Sequence, residues 1–233
     1  MSRENLIKAI EDFSAWQARE YPVFPSEEVP GEWETYYDGW DRIGDAFSRF
    51  LAENRAQDAD GQLCRKMIYI IARDNECENL IQELTRYPEW FELLCGGCLK
   101  VEEADARWQF AAYLPQCDCG EETKNLILKF AEDQNEYVCR RALMAMPLVR
   151  PDKVDEYAKL FWEREIYEQG LKEYQKMAVL TALYETGSQL LPCYLREAKA
   201  GKEKYLSGWA EKIEEELKGR EEPEEEQTGL HGR

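Results

Sequence analysis

The chain has 233 residues, 44% of them apolar and 33% charged, with 48 acidic against 30 basic side chains and a formal charge of −18. That apolar share excludes a disordered chain, and the acidic balance works against nucleic-acid binding because a negative field repels phosphate backbones. The one histidine, His231, stands three residues from the C-terminal end, so a Ser/His/Asp triad, a Cys/His dyad and a His-ligated metal site all lack their central residue.

In chain order, "MSRENLIKAIEDF" places Glu4, Glu11 and Asp12 where a signal peptide needs an unbroken apolar run, and no stretch approaches the ~18 apolar residues of a membrane span. A soluble, cytoplasmic protein is expected, with reduced thiols. A helix is predicted over about 3–20, then a break at "YPVFPSEEVPG", whose three prolines cannot sit inside a helix. The following "EWETYYDGWDRIGDAFSRFL" brings Trp33, Tyr36, Tyr37 and Trp40 close together. Residues 1–60 are read as an N-terminal helical capping region whose aromatics close one end of the core, with a ligand pocket as the alternative. Asp38, Asp41 and Asp45 do not have the spacing of a calcium loop.

From Gly61 on, apolar residues recur at helical spacing in about ten segments separated by Pro, Gly, Asp or Asn. They are read as consecutive pairs: 62–74 with 76–87, 88–99 with 104–116, 121–133 with 136–149, 152–165 with 171–186, and 189–200 with 202–217. The second members resemble one another. "ARWQFAAYLP" from Ala106 aligns with "VCRRALMAMP" from Val138 at a shift of 32 residues, and "YQKMAVLTA" from Tyr174 is a weaker echo. A period of about 30 to 40 residues, one helical hairpin each, is the signature of an α-solenoid. Val138, Ala142, Ala145, Met146 and Val149 fall on one helical stripe that must be buried.

At "DQNEYVCRRALMAM" the chain resembles a HEAT-repeat, armadillo-like protein: Asp133 before a turn, Val138 and Arg140 opening the second helix, and small Ala142 and Ala145 within it. It departs from that pattern in having the Arg one place late and in lacking the turn proline. Tetratricopeptide and armadillo arrays are less favoured. The resemblance implies an all-α, right-handed solenoid of about five HEAT-like hairpins over 61–217, with the second helices forming a concave binding surface. Residues 218–233 are read from composition as a disordered acidic tail, because "REEPEEEQTGLHGR" from Arg220 holds five Glu against two Arg and little that is apolar.

Two cysteine pairs invite a metal or redox reading: Cys95 with Cys98 in "CGGC", and Cys117 with Cys119 in "CDC". In the predicted hairpin, however, the pairs stand at opposite ends of the second helix, ~18 Å apart, too far for zinc–sulfur bonds of ~2.3 Å. "EWFELLCGGC" also puts its thiols at a helix C-terminus, where the dipole disfavours thiolate. Structural cysteines are expected throughout, with Cys64, Cys139 and Cys193 as packing residues and no metal or cofactor.

The sequence therefore points to a noncatalytic protein-binding scaffold or adaptor. Its acidic body makes an inhibitor or immunity-type protein for a basic partner one version of that reading. Arg107, Trp108, Arg140, Arg141, Met144 and Lys176 form the candidate contact surface, a basic and aromatic series on otherwise acidic helices, with Trp108 as anchor. In the structural alternative these arginines pair with turn acids, namely Asp105, Asp133 or Glu136. The enzyme alternative is a HEAT-like DNA glycosylase of the alkylpurine-excising kind, for which Asp105, Arg107 and Trp108 would serve. The weak basic stripe and the overall charge disfavour it.

Overall fold

The computed structural model describes residues 1–21 and 36–221, and every regular element among them is an α-helix or a short 3-10 turn. The fold is all-α. Its chain divides into two compact units, Met1–Val154 and Asp155–Arg233. No helix among the described residues is long and apolar enough to cross a membrane.

The first unit opens with α1 (Ser2–Glu20) packed on α2 (Trp40–Glu53). Leu6, Ala9, Ile10 and Phe13 of α1 and Ile43, Phe47 and Phe50 of α2 are buried at the i, i+3/i+4 spacing that gives each helix one apolar stripe. Phe13 is the hub of an aromatic cluster, its ring 5.1 Å from both Tyr37 and Trp40, 5.6 Å from Trp16 and 6.2 Å from Tyr69. Tyr37 folds back over Gly39, where a Cβ would stand 2.5 Å from its ring. Trp33 lies outside the described residues, and Tyr36 is 75% exposed. Of the four aromatics singled out in the sequence, then, Tyr37 and Trp40 join the α1–α2 core.

Asp60 caps α3 (Gly61–Arg73) by accepting the Gln62 and Leu63 amides at 3.0 and 2.8 Å. α3 buries Leu63, Met67, Ile68, Ile70 and Ile71, each worth about 1.5–3 kcal/mol of apolar burial. α4 (Asn79–Leu84), α5 (Pro88–Cys98) and α6 (Ala104–Tyr113) follow, α5 begun by a proline at its first turn. A 3-10 turn, Leu114–Gln116, leads to α7 (Glu121–Lys124), α8 (Leu126–Ala131) and α9 (Glu136–Val149). Asn135 caps α9 through the Tyr137 and Val138 amides. α3 packs on α6 and α6 on α9, while α5 and α8 lie against α3 and α9 respectively.

The second unit holds α10 (Val154–Glu163, all but its first residue), α11 (Gln169–Glu185), α12 (Leu191–Ala200) and α13 (Lys204–Glu221). α13 packs on α11 and α12, and the Trp162 ring of α10 lies 4.6 Å from that of Tyr194 of α12, tilted by 57°. Glu173 of α11 reaches the start of α13, accepting the Tyr205 and Leu206 amides at 2.8 and 2.9 Å.

Three expectations are corrected here. The helix anticipated over 76–87 is the six-residue α4, which packs on α2, α5 and α6 rather than forming a hairpin with α3. That over 121–133 is divided at Asn125 into α7 and α8. The last helix continues through Lys218 to Glu221, so the first four residues assigned to the acidic tail are helical, and the rest lie outside the described residues.

Candidate functional site

α9 carries two stripes. The buried one is Val138, Cys139, Ala142, Leu143, Ala145 and Met146, and Val149 at its end is only half-buried. Opposite it, Tyr137, Arg141, Met144 and Leu148 recur at i, i+4, i+7 and i+11 on one face. Met144 is 43% and Leu148 78% exposed, two large apolar side chains one turn apart on a helix whose remaining apolar residues are mostly packed. Beside them the Arg141 guanidinium lies 5.0 Å over the Trp108 ring and 5.7 Å from that of Tyr137, while Arg140 lies 4.8 Å over Tyr137. Trp108 and Tyr137 meet edge to face at 5.3 Å. Stacking of this kind holds a guanidinium in place at about 0.5–2 kcal/mol per contact.

The six residues proposed from the sequence fare differently. Arg107 donates through Nε and Nη2 to Asp133 at 2.6 and 3.3 Å and through Nη1 to the Val101 carbonyl at 2.9 Å, and Arg140 pairs with Glu136 at 2.9 Å. Both thus form the turn-acid pairs of the structural alternative. Trp108 is 1% exposed, beneath Arg141, so it is a packing residue and not a surface anchor. Its burial follows from its place on the α6 face turned to α9. With Trp108 inside and Arg107 neutralised by Asp133, the pair does not present the exposed aromatic and free cation of the glycosylase alternative. Arg141 and Met144 sit together on the outer face of α9. Lys176 belongs to the second unit, its ammonium 5.0 Å over the Trp162 ring. Leu148 and Tyr137 were missed, although their spacing from Met144 and Arg141 was readable.

The cysteine pairs correct a second expectation. Cys95 has Cys117, Cys119, Cys98 and Glu92 in its electrostatic surroundings, and Cys117 and Cys119 hydrogen-bond to each other. The cause is the 3-10 turn Leu114–Gln116, which sends the chain back over the middle of α5, where Glu92 accepts the Gly120 amide at 2.6 Å. The ~18 Å separation assumed a hairpin with the cysteines at its extremities. Burial raises all four thiols, Cys117 to about 12, so none is held as thiolate. Among the described residues no group of three or more His, Cys, Asp or Glu side chains is arranged to hold a metal ion. Cys193 is exposed rather than packed, and Cys64 is half-buried.

A groove of about 630 Å³ lies beside the Arg107–Asp133 pair, lined by Gly96, Leu99, Lys100, Leu126 and Lys129 among others. A second, of about 580 Å³, is lined by Trp40, Asp41, Gly44, Asp45, Asp74, Asn79 and Leu80. No protein family, curated protein or solved structure matches the chain.

Proposed function

We propose that this chain is a noncatalytic protein-binding scaffold of HEAT-like helical hairpins, and that the outer face of α9 is its contact surface. The observation that carries the reading is the pairing of exposed Met144 and Leu148 with Arg141, whose side chain is held by two aromatic rings. Exposed apolar side chains flanked by a preorganised arginine have the composition of a binding hot spot. The partner is another protein that offers an apolar side chain flanked by carboxylates.

The solenoid reading is supported within each unit by ties between helices that pack on one another two or three places apart in the chain. In the first, Arg73 of α3 pairs with Glu103 at the head of α6 at 2.7 Å, and Arg107 of α6 with Asp133 ahead of α9 at 2.6 Å, partners 30 and 26 residues apart. In the second, Glu173 of α11 caps α13. A repeated tie from one helix to the start of its next neighbour is what stacking of like hairpins requires.

The test is affinity capture with the parent chain and with a Met144→Asp, Leu148→Asp variant, whose changes fall on exposed positions. The parent should retain a stoichiometric protein that the variant loses at least tenfold, with melting temperature kept. Equal retention by both chains at matched folding would overturn the assignment.

A further inference from the structure

The α1–α2 pair carries a groove of about 390 Å³, lined by Ser2, Asn5 and Lys8 of α1 and by Arg42, Asp45 and Arg49 of α2. Ser2, Asn5 and Lys8 recur at every third residue along one side of α1, and Arg42, Asp45 and Arg49 share one side of α2. Two contacts fix how these rows meet. The Asn54 side-chain amide donates to Ser2 Oγ at 3.1 Å at one end, and Arg42 donates to Asp12 at the other. The helices therefore run antiparallel, which sets Asn5 and Lys8 opposite residues 46–50 of α2.

Donors in this groove outnumber the acceptors beside them. Lys8 donates to Asp12 at 3.2 Å, so the one Asp12 carboxylate serves two cations. Arg49 and the Asn5 side-chain amide have no hydrogen-bonding or ionic partner among the described residues. Ser2 is 8% exposed, and because its oxygen accepts from Asn54 its own O–H is left to donate. Asp45 is the carboxylate that lines the groove with them. The lining thus bears Lys8, Arg42 and Arg49 against Asp45, a local positive excess on a chain of formal charge −18.

We propose that this groove is a phosphoryl-binding site, taking a phosphate dianion either free or as the head of a monoester. Ammonium, guanidinium, amide and hydroxyl donors on two walls suit a tetrahedral group with three acceptor oxygens and nearly two charges better than a planar carboxylate with one. Arg49 and Lys8 supply the charge, and Asn5 and Ser2 the neutral donors. The exposed pair of Lys8 with Asp12 is of little energetic worth, so its ammonium is free to turn to the ligand. Arg42 stays on Asp12 and closes the far end. Asp45 opposes the ligand, so its removal must tighten binding, which a purely structural ion-pair cluster would not show.

Isothermal titration calorimetry of the full chain at low ionic strength tests the site. The probes are inorganic phosphate and a blocked phosphoserine tripeptide, with the unphosphorylated tripeptide as control. At least one phosphate probe should bind saturably, and at least tenfold more tightly than the control. Lys8→Gln with Arg49→Gln should weaken that binding at least tenfold with melting temperature kept, whereas Asp45→Asn should tighten it about threefold. Lys100→Gln with Lys129→Gln, the same loss of charge at exposed positions on α5 and α8, should leave it unchanged. Phosphate binding as tightly as the phosphopeptide assigns the site to the free ion, and tighter binding of the phosphopeptide assigns it to a carried phosphoryl group; either supports the proposal. It is overturned if neither probe binds saturably below about 10 mM, if the unphosphorylated tripeptide binds equally, if the two double variants weaken binding alike, or if Asp45→Asn fails to tighten it. The α9 face takes no part in these measurements, so the binding surface stands or falls separately.

Discussion

Arg107 and Trp108 are adjacent in the sequence and serve the fold in different ways, one by neutralising Asp133, the other by filling the space between α6 and α9. Arg107→Leu should destabilise by about 3 kcal/mol, because it leaves Asp133, 10% exposed, without its guanidinium. Chemical denaturation checks this, and an unchanged midpoint would show the pair to be unimportant. On the buried stripe Ala142, fully buried, should tolerate a carboxylate least. Ala142→Asp should lower stability by more than about 3 kcal/mol, and Ala145→Asp, at a position 6% exposed, by less. Asp74 gives a pH dependence whose sign is fixed. Its folded-state pKa, raised by burial to about 6, lies above the ordinary aspartate value of 3.8, so between those values the folded chain binds the proton that the unfolded chain has released. Stability therefore falls as pH rises from about 4 to about 6, by roughly 3 kcal/mol in all, and the loss persists above pH 6. Asp74→Asn should flatten that slope in melting temperature against pH. The buried stripe of α9 was legible because periodicity alone specifies it. The burial of Asp74 was not, since "RDNECEN" reads as any polar loop and only the packing of α2 and α6 encloses it.

At the scale of elements, α5, α6, α9 and α12 lie close to where apolar spacing and Pro or Gly punctuation put them. The misjudged elements are those whose limits depend on tertiary contacts: α4 is cut short between Glu78 and Thr85, and the turn after α6 is tightened into a 3-10 segment. That turn brings Cys117 and Cys119 to Cys95, a convergence with no signal in the spacing of the cysteines. At the other end, Arg220 lies 4.6 Å over the Tyr184 ring, so α13 is anchored beyond Leu217. A chain ending at Glu221 should melt with the parent, whereas one ending at Leu217 should melt about 2 °C lower through loss of that stack. Differential scanning calorimetry separates the two, and equal melting of all three chains would show the last turn of α13 to be idle.

For the whole molecule, a formal charge of −18 makes self-repulsion a property of the folded chain. Raising salt from about 20 to 300 mM shortens the screening length from roughly 20 to 6 Å. Melting temperature should therefore rise over that range, the reverse of what a chain held chiefly by its exposed ion pairs would show. Against this acidic background the α9 face stands out by its chemistry: Arg141 between two rings, with Met144 and Leu148 exposed beside it. Hydroxyl-radical footprinting of the captured complex reads that face directly, because Met144 is at once oxidisable, 43% exposed and central to the proposed contact. Oxidation of Met144 should slow at least fivefold in the complex while exposed Tyr174 and Tyr205 of the second unit react as in the free chain. A stoichiometric complex in which Met144 oxidises at its free rate would contradict the account.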